Sequence, residues 1–287
     1  MQHNPDDIDV FQIERSVWIA EAKIQSPNYD FAFSQLLACS HSRFGLNEVT
    51  AVARFGAVLE YDVLYKELLE RGVRLIHSPA QHQLCSELPQ WYPLLKGLTP
   101  ESWWFDKAPD AETAGELAGW PLFIKGSRQT SRHQFKLSII HNQEEYRVAI
   151  EAFANDRMLH WQQVVIRRFE RLRPIRADMG QRIPASFEFR SFWWRGHLAG
   201  VGPYFAEFAK YQWTESEKAE ALKTAEEAAR RIDLAFVVVD LAQCIDGRWI
   251  VIEINDAQES GYAGVPRLAM WQRIVELEQM LKTDSSA

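Results

Sequence analysis

The stretch VVVDLAQCIDGRWIVIEINDAQESG, residues 237–261, decides how this chain is read. Asp246-Gly247 lies between two apolar runs, 236–245 and 248–255. Asp-Gly in that setting is the strongest short-range hairpin signal, because both residues accept the positive φ of a tight turn. With those two residues as the loop, 245 pairs with 248, and Asp240 falls opposite Glu253 with Cβ atoms about 4.5–5.5 Å apart. Period two then places Trp249, Val251, Glu253 and Asn255 on one face of the second strand, and Ile250, Ile252 and Ile254 on the other. Like charges in that position repel. A cation or an arginine must compensate them, or one carboxyl keeps its proton. Two carboxylates and an amide oxygen are the oxygen-only donors that suit Mg²⁺. The competing reading is a solvated polar face with an incidental acid pair, which the strongly apolar flanks disfavour. A three- or five-residue loop would shift the register and break the pairing.

The rest of the chain supplies the opposite charge. The 287 residues carry a net charge of −7, with 47% hydrophobic and 25% charged residues. That composition supports sizeable cores and one or two α/β domains, and it excludes a disordered or fibrous chain. It also argues against a protein built to coat nucleic acid. The charge is uneven, however. Residues 117–143 hold Lys125, Arg128, Arg132 and Lys136 with no acid, a local +4. Residues 160–200 hold eight arginines against Glu170, Asp178 and Glu188, a local +5. The remainder carries −16. Two basic stretches in an acidic chain point to one anion site, against the plainer reading of a solvated basic face. Three scattered cysteines (Cys39, Cys85, Cys244), an acidic start without an apolar segment, and apolar runs of about six residues lead us to expect a cytoplasmic protein without disulfides, signal peptide or membrane span. Eleven tryptophans stand out, several of them in the Pro- and Trp-rich residues 86–120. This stretch reads as an irregular linker, with a domain boundary near 118: an N-terminal α/β domain over 1–118 and a second domain over 119–287.

Coarse patterning orders the elements. Val17–Ala22 reads as a strand. A helix over 56–71 stopped by Gly72 is followed by a strand over 73–77. After the linker, strands are expected at 121–125, 135–141, 164–169 and 187–194. Asn142 with Glu145, and Thr214 with Glu217, are capping signatures for two helices. A last helix is expected over 265–281. Lys125 ends its strand at an acid-free polar loop, where a lysine can reach phosphate oxygens, although an ordinary surface lysine is the alternative. Glu188 and Arg190 share one strand face as a structural salt bridge or a site pair. An arginine there could stabilise charge on a transferring phosphoryl group.

Taken in order, PLFIKG (121–126), VVIRRFERLRPI (164–175), SFEFRSFWWRG (186–196) and the 237–261 hairpin resemble an ATP-grasp ligase over about residues 88–264. The hairpin ending and the upstream WYPLL…LTP segment (91–100) resemble the bacterial and phage ATP-grasp clade named for two arginines and a lysine. The resemblance implies an α/β (α+β) ATP-grasp fold behind an N-terminal α/β pre-ATP-grasp domain. It implies ATP and Mg²⁺ as cofactors. Lys125 and Lys136 would contact phosphates. Arg167 and the hinge Phe169–Leu172 would hold adenine, with Glu170 reaching the ribose. Arg190 would act with Lys125 in catalysis at the γ-phosphate and the acyl phosphate. Asp240, Glu253 and Asn255 would bind the metal, Glu253 bridging two ions. Arg168 stands where a hinge carboxylate is common, and the 126–134 loop has a single glycine where many relatives have more.

The activity so implied is activation of a carboxylate by phosphorylation and its joining to an amine, on a small-molecule or peptide substrate, with neither nucleic acid nor membrane as partner. Two alternatives stay open: a nucleotide-binding module without turnover, and a non-catalytic protein that binds another anion.

Overall fold

The computed structural model describes residues 49–285 apart from 53, 55–57, 59, 71, 129–134 and 181–182. The strand expected at Val17–Ala22, Cys39 and most of the 126–134 loop lie outside the described residues. The first elements among the described residues are β1 (Val49–Ala51), α1 (Tyr61–Leu69) and β2 (Val73–Leu75), and β1 and β2 pair in parallel. Gly72, at φ +77°, ends the helix and donates to the Leu69 carbonyl, as only a residue tolerant of positive φ does cheaply. α2 (Pro79–Ser86) starts with a reciprocal cap between Ser78 and Gln81, and α3 (Leu88–Leu95) follows.

The expected irregular linker is ordered. It contains α3, β3 (Ser102–Phe105) and α4 (Ala111–Ala118). Its prolines mislead because Pro89 falls in the first turn of α3, where a missing N–H costs nothing. Its tryptophans are packing groups, with Trp91 fully buried and Trp103 half-buried beneath α4. Next come β4 (Leu122–Gly126), α5 (Phe135–Ser138), β5 (Ile139–Ile140), α6 (Gln143–Asn155) and β6 (Val164–Arg168). The strand expected over 135–141 is therefore a short helical turn and a two-residue strand. Its apolar pattern, Phe135, Leu137, Ile139, Ile140, is too short for periodicity to decide. The sheet order is β3-β6-β4-β5, antiparallel throughout. Leu122, Ile124, Val164 and Ile166 pack against α4 and α6, which leaves Lys125, Val165 and Arg167 on the other face.

The last sheet holds β7 (Glu188–Trp194) and β8 (His197–Pro203), then, after α7 (Glu215–Ile232), β9 (Phe236–Gln243) and β10 (Trp249–Asp256); α8 (Arg267–Ser285) closes the chain. Its order is β10-β9-β7-β8, antiparallel. One face carries Phe187, Phe189, Trp193, Val237, Val239, Leu241, Trp249, Val251 and Ile254 into a core shared with α7 and α3. The buried stripe Ala221, Ala225, Ala228 and Ala229 lets α7 lie close to the sheet. Thr214 and Glu217 cap α7 reciprocally, and Asn142 caps α6. The opposite face is divided. Phe192, Trp194, Phe236 and Val238 pack against Met270, Trp271 and Ile274 of α8, and the other half is polar. Among the described residues, no helix is long and apolar enough to cross a membrane.

Candidate active site

Asp240 does face Glu253, but by a different route from the one the sequence suggests. The loop has three residues, Ile245-Asp246-Gly247. Cys244 N–H donates to the Arg248 carbonyl at 2.8 Å, and Gly247 takes φ +90°. That is the three-residue hairpin with glycine in the left-handed position. It shifts the register by one, so Trp249 faces Gln243 and Val251 faces Leu241. A β-bulge between Val251 and Glu253 then restores it. The bulge also flips the faces. Trp249 and Val251 join Ile254 in the core, so the expectation that they share a face with Glu253 and Asn255 is corrected.

β7 aligns Arg190 with Asp240 on the other side of β9. Arg190, Asp240 and Glu253 thus form one row across three strands. Arg190 donates to both Asp240 oxygens, Nε to Oδ1 at 2.8 Å and Nη2 to Oδ2 at 2.7 Å, and its Nη1 donates to the Gly261 carbonyl at 2.8 Å. Its guanidinium also lies 4.9 Å from the centre of the Tyr204 ring. Burial opposes the charge on Arg190, but Asp240 outweighs it and holds the group protonated above its usual range. Lys125 extends the row from the facing sheet, its Nζ bonded to Glu253 Oε1. Two cations therefore compensate the two carboxylates. Glu188, on the same face as Arg190, accepts from Ser186 Oγ at 3.1 Å. Burial, with the charge of Asp240 next, pushes its carboxyl up to about 8. Asn255, two residues past Glu253, is half-buried on that face.

The other expected residues lie around this row. Arg167 is buried, and all three of its guanidinium nitrogens donate: Nε to Ser102 Oγ at 3.0 Å, Nη1 to the Ile252 carbonyl at 2.9 Å, and Nη2 to Thr99 Oγ1 at 2.6 Å. Burial lowers its pKa to about 10. Phe169 and Leu172 are half-buried in the segment after β6. There Arg173 N–H donates to the Gln243 carbonyl at 2.8 Å and Ile245 N–H to the Arg171 carbonyl at 2.9 Å, so the segment is tied to the end of β9. Glu170 pairs with Arg248 at 3.0 Å. Arg168 pairs with Glu101 at 2.8 Å. Lys136 belongs to α5.

Sequence reasoning missed a second polar cluster beneath the hairpin's end. His77 Nδ1 and His82 Nδ1 each lie 3.0 Å from Asp256 Oδ2, and Gln258 N–H donates to Asp256 Oδ1 at 2.9 Å. The Tyr61 and His82 rings stack with centroids 3.8 Å apart. Burial opposes the Asp256 charge, but these contacts hold its carboxyl well below the usual range. Cys85 lies here too, and donor atoms of His77, Cys85 and Asp256 fall within 4.8 Å of one another. The bonds in place do not suit a metal. His77 Nε2 accepts from Phe236 N–H at 3.2 Å, which puts the hydrogen on Nδ1. The Cys85 thiol donates to the Gln81 carbonyl at 3.3 Å, and burial pushes its pKa up. The cluster anchors the N-terminal elements to the end of β10. The only sequence signal for it is the spread of His77, His82 and Asp256 over distant segments.

The fold is shared with solved structures of low identity. A RimK domain ATP-grasp protein from Sphaerobacter thermophilus is 18% identical, with 94% of this chain and 96% of that one covered and a TM-score of 0.56. The D-alanine–D-alanine ligase of Bacillus anthracis, complexed with ATP, is 14% identical, with 82% and 81% covered and a TM-score of 0.55. The corresponding ligase of Coxiella burnetii is 14% identical, with 83% and 69% covered and a TM-score of 0.56. No curated protein matches the chain. These likenesses define an ATP-grasp fold. Residues 117–274 match the ATP-grasp domain, family 3 of the clade named for two arginines and a lysine, and the chain belongs to that family. Membership supports enzymatic, ADP-forming ligase activity.

The residues present fit Mg²⁺, which ATP-grasp enzymes typically use with ATP. The candidate metal donors, the carboxylates of Asp240 and Glu253 and the amide of Asn255, offer oxygens, the donor type that suits Mg²⁺. Each carboxylate already has a cationic partner of the kind that binds phosphate.

Proposed function

We propose that the chain is an ATP- and Mg²⁺-dependent ligase that activates a carboxylate as an acyl phosphate and joins it to an amine on a peptide or amino-acid type substrate. The observation that carries this reading is the row Lys125–Glu253–Asp240–Arg190, assembled from two facing sheets. Asp240, Glu253 and Asn255 would hold Mg²⁺, with Glu253 as the carboxylate shared between phosphate-bound metal and Lys125. When bound, Mg²⁺ neutralises phosphate oxygens. Lys125 and Arg190 bind the phosphates and take up the charge that develops as the γ-phosphoryl moves. The substrate carboxylate oxygen bonds to the γ-phosphorus as the bond to ADP breaks. The amine nitrogen then bonds to the acyl carbon, loses a proton, and phosphate leaves. Lys136 and the Phe169–Leu172 hinge, with Glu170 at the ribose, complete the nucleotide site. The family domain starts near the proposed boundary at 118, and β3 joins its sheet from before that point.

The test is ADP release from Mg²⁺·ATP with panels of amino acids and short peptides offered as carboxylate and amine. ADP formed only when both are present supports ligation. Mg²⁺·ATP binding with no ADP release across the panels would favour a nucleotide-binding module. No binding at all would overturn the reading.

A further inference from the structure

Within the ligase reading above, on which this inference rests, we propose that Arg167 is a positioning residue. It holds the β-bulge that sets Glu253 opposite Asp240, and it does not contact the nucleotide. The bulge is what the site depends on. With the three-residue loop alone, 252 would face Asp240, and Glu253 would fall out of the row. A bulge weakens a ladder unless its backbone is bonded elsewhere. Here it sits on the edge strand β10, and three of its backbone groups are taken by one neighbouring segment and one side chain. Val251 N–H donates to the Leu98 carbonyl at 2.8 Å. The Val251 carbonyl accepts from Thr99 Oγ1 at 2.9 Å. The Ile252 carbonyl, one residue before Glu253, accepts from Arg167 Nη1 at 2.9 Å.

Arg167 ties these together. Its Nη2 donates to the same Thr99 hydroxyl, and its Nε donates to Ser102 Oγ, which in turn donates to the Pro100 carbonyl at 2.8 Å. Residues 99–102, the bulge and β6 are thus joined through one buried guanidinium. Three acceptors in different directions match the planar fork of arginine and not the single ammonium of lysine. β6 also pairs with β4, where Val165 faces Lys125. The same residue therefore fixes the spacing between the strand that carries Lys125 and the bulge that carries Glu253.

The test uses the full chain and the variants Arg167→Lys and Thr99→Val. ATP binding is titrated calorimetrically in EDTA and across a Mg²⁺ series, with apo thermal unfolding measured in parallel. The expected result for Arg167→Lys is undiminished ATP affinity in EDTA and a rise of tenfold or more in the Mg²⁺ concentration at half-effect. Thr99→Val, which keeps Arg167 but removes the hydroxyl that both braces it and holds Val251, is expected to shift the Mg²⁺ midpoint the same way by about threefold. A tenfold loss of metal-free ATP affinity with an unchanged Mg²⁺ midpoint would overturn the proposal in favour of a direct nucleotide contact. An unchanged Mg²⁺ midpoint in Thr99→Val would also overturn it, even if Arg167→Lys failed to fold. Absence of any Mg²⁺ effect in the unmodified chain would instead count against the ligase reading.

Discussion

Replacing Glu253 with glutamine keeps the side chain's size and removes the charge that Lys125 faces across the two sheets. In the free chain the Lys125 side chain is 4% exposed and that of Glu253 24%. A hydrogen bond to a charged group contributes about 1.5–3 kcal/mol, and partial exposure of Glu253 puts this one at the lower end. ATP that binds through Lys125 must displace Glu253, so metal-free affinity is lowered by about that amount. Glu253→Gln is therefore expected to bind ATP in EDTA about tenfold more tightly, because 1.4 kcal/mol is a factor of ten. With Mg²⁺ the order reverses. On the proposed reading the variant lacks a carboxylate that would hold the metal, and the Mg²⁺-dependent gain in affinity is expected to be lost. Calorimetric titration of both proteins in EDTA and in excess Mg²⁺ reads both effects, with apo thermal unfolding as a control. Unchanged or weaker metal-free binding in the variant would refute the displacement step. A retained Mg²⁺ gain would refute the metal role.

Further outcomes follow from the buried carboxyls. Asp256→Ala leaves His82 and the Gln258 N–H without their acceptor and removes the carboxylate beside His77, and a loss of about 3 kcal/mol or more is expected in urea unfolding. Because the Asp256 carboxyl is held below its usual range, its contribution is complete above pH about 4 and is lost as pH falls further. An acid-unfolding midpoint unchanged by the substitution would contradict this. Glu188 has the opposite sign. Its carboxyl is raised to about 8, so the native state binds the extra proton and stability falls as pH rises from about 4 to about 8. Glu188→Gln is expected to gain stability over the unmodified chain across that range and to plateau above it. A difference that does not vary with pH would rule out the buried, protonated carboxyl.

Much of the fold was legible because its signals are local. The caps at Asn142 and Thr214, the stop at Gly72 and the strands around Asp246-Gly247 each follow from what neighbouring residues do to the backbone. The 86–120 stretch reads as a linker in sequence, but folds into ordered elements, because proline and tryptophan look the same in a loop as at the start of a packed helix. The two-residue turn expected from sequence pairs Asp240 with Glu253, and the structure keeps that pairing with a longer turn, since the three-residue turn and the bulge shift the register in opposite directions.

The residue types of the site were set by the sequence alone: an acid pair in a hairpin, a lysine at a strand end, and an arginine two residues from a glutamate. Tertiary structure decided how they meet. The approach of the two sheets brings Lys125 to Glu253, residues 128 apart. It also turns Arg167, which a strand reading can place only on a face, into the brace for the bulge. Sequence periodicity is blind to both, because a bulge on an edge strand is stabilised by partners from other elements, and those partners exist only once the chain has folded.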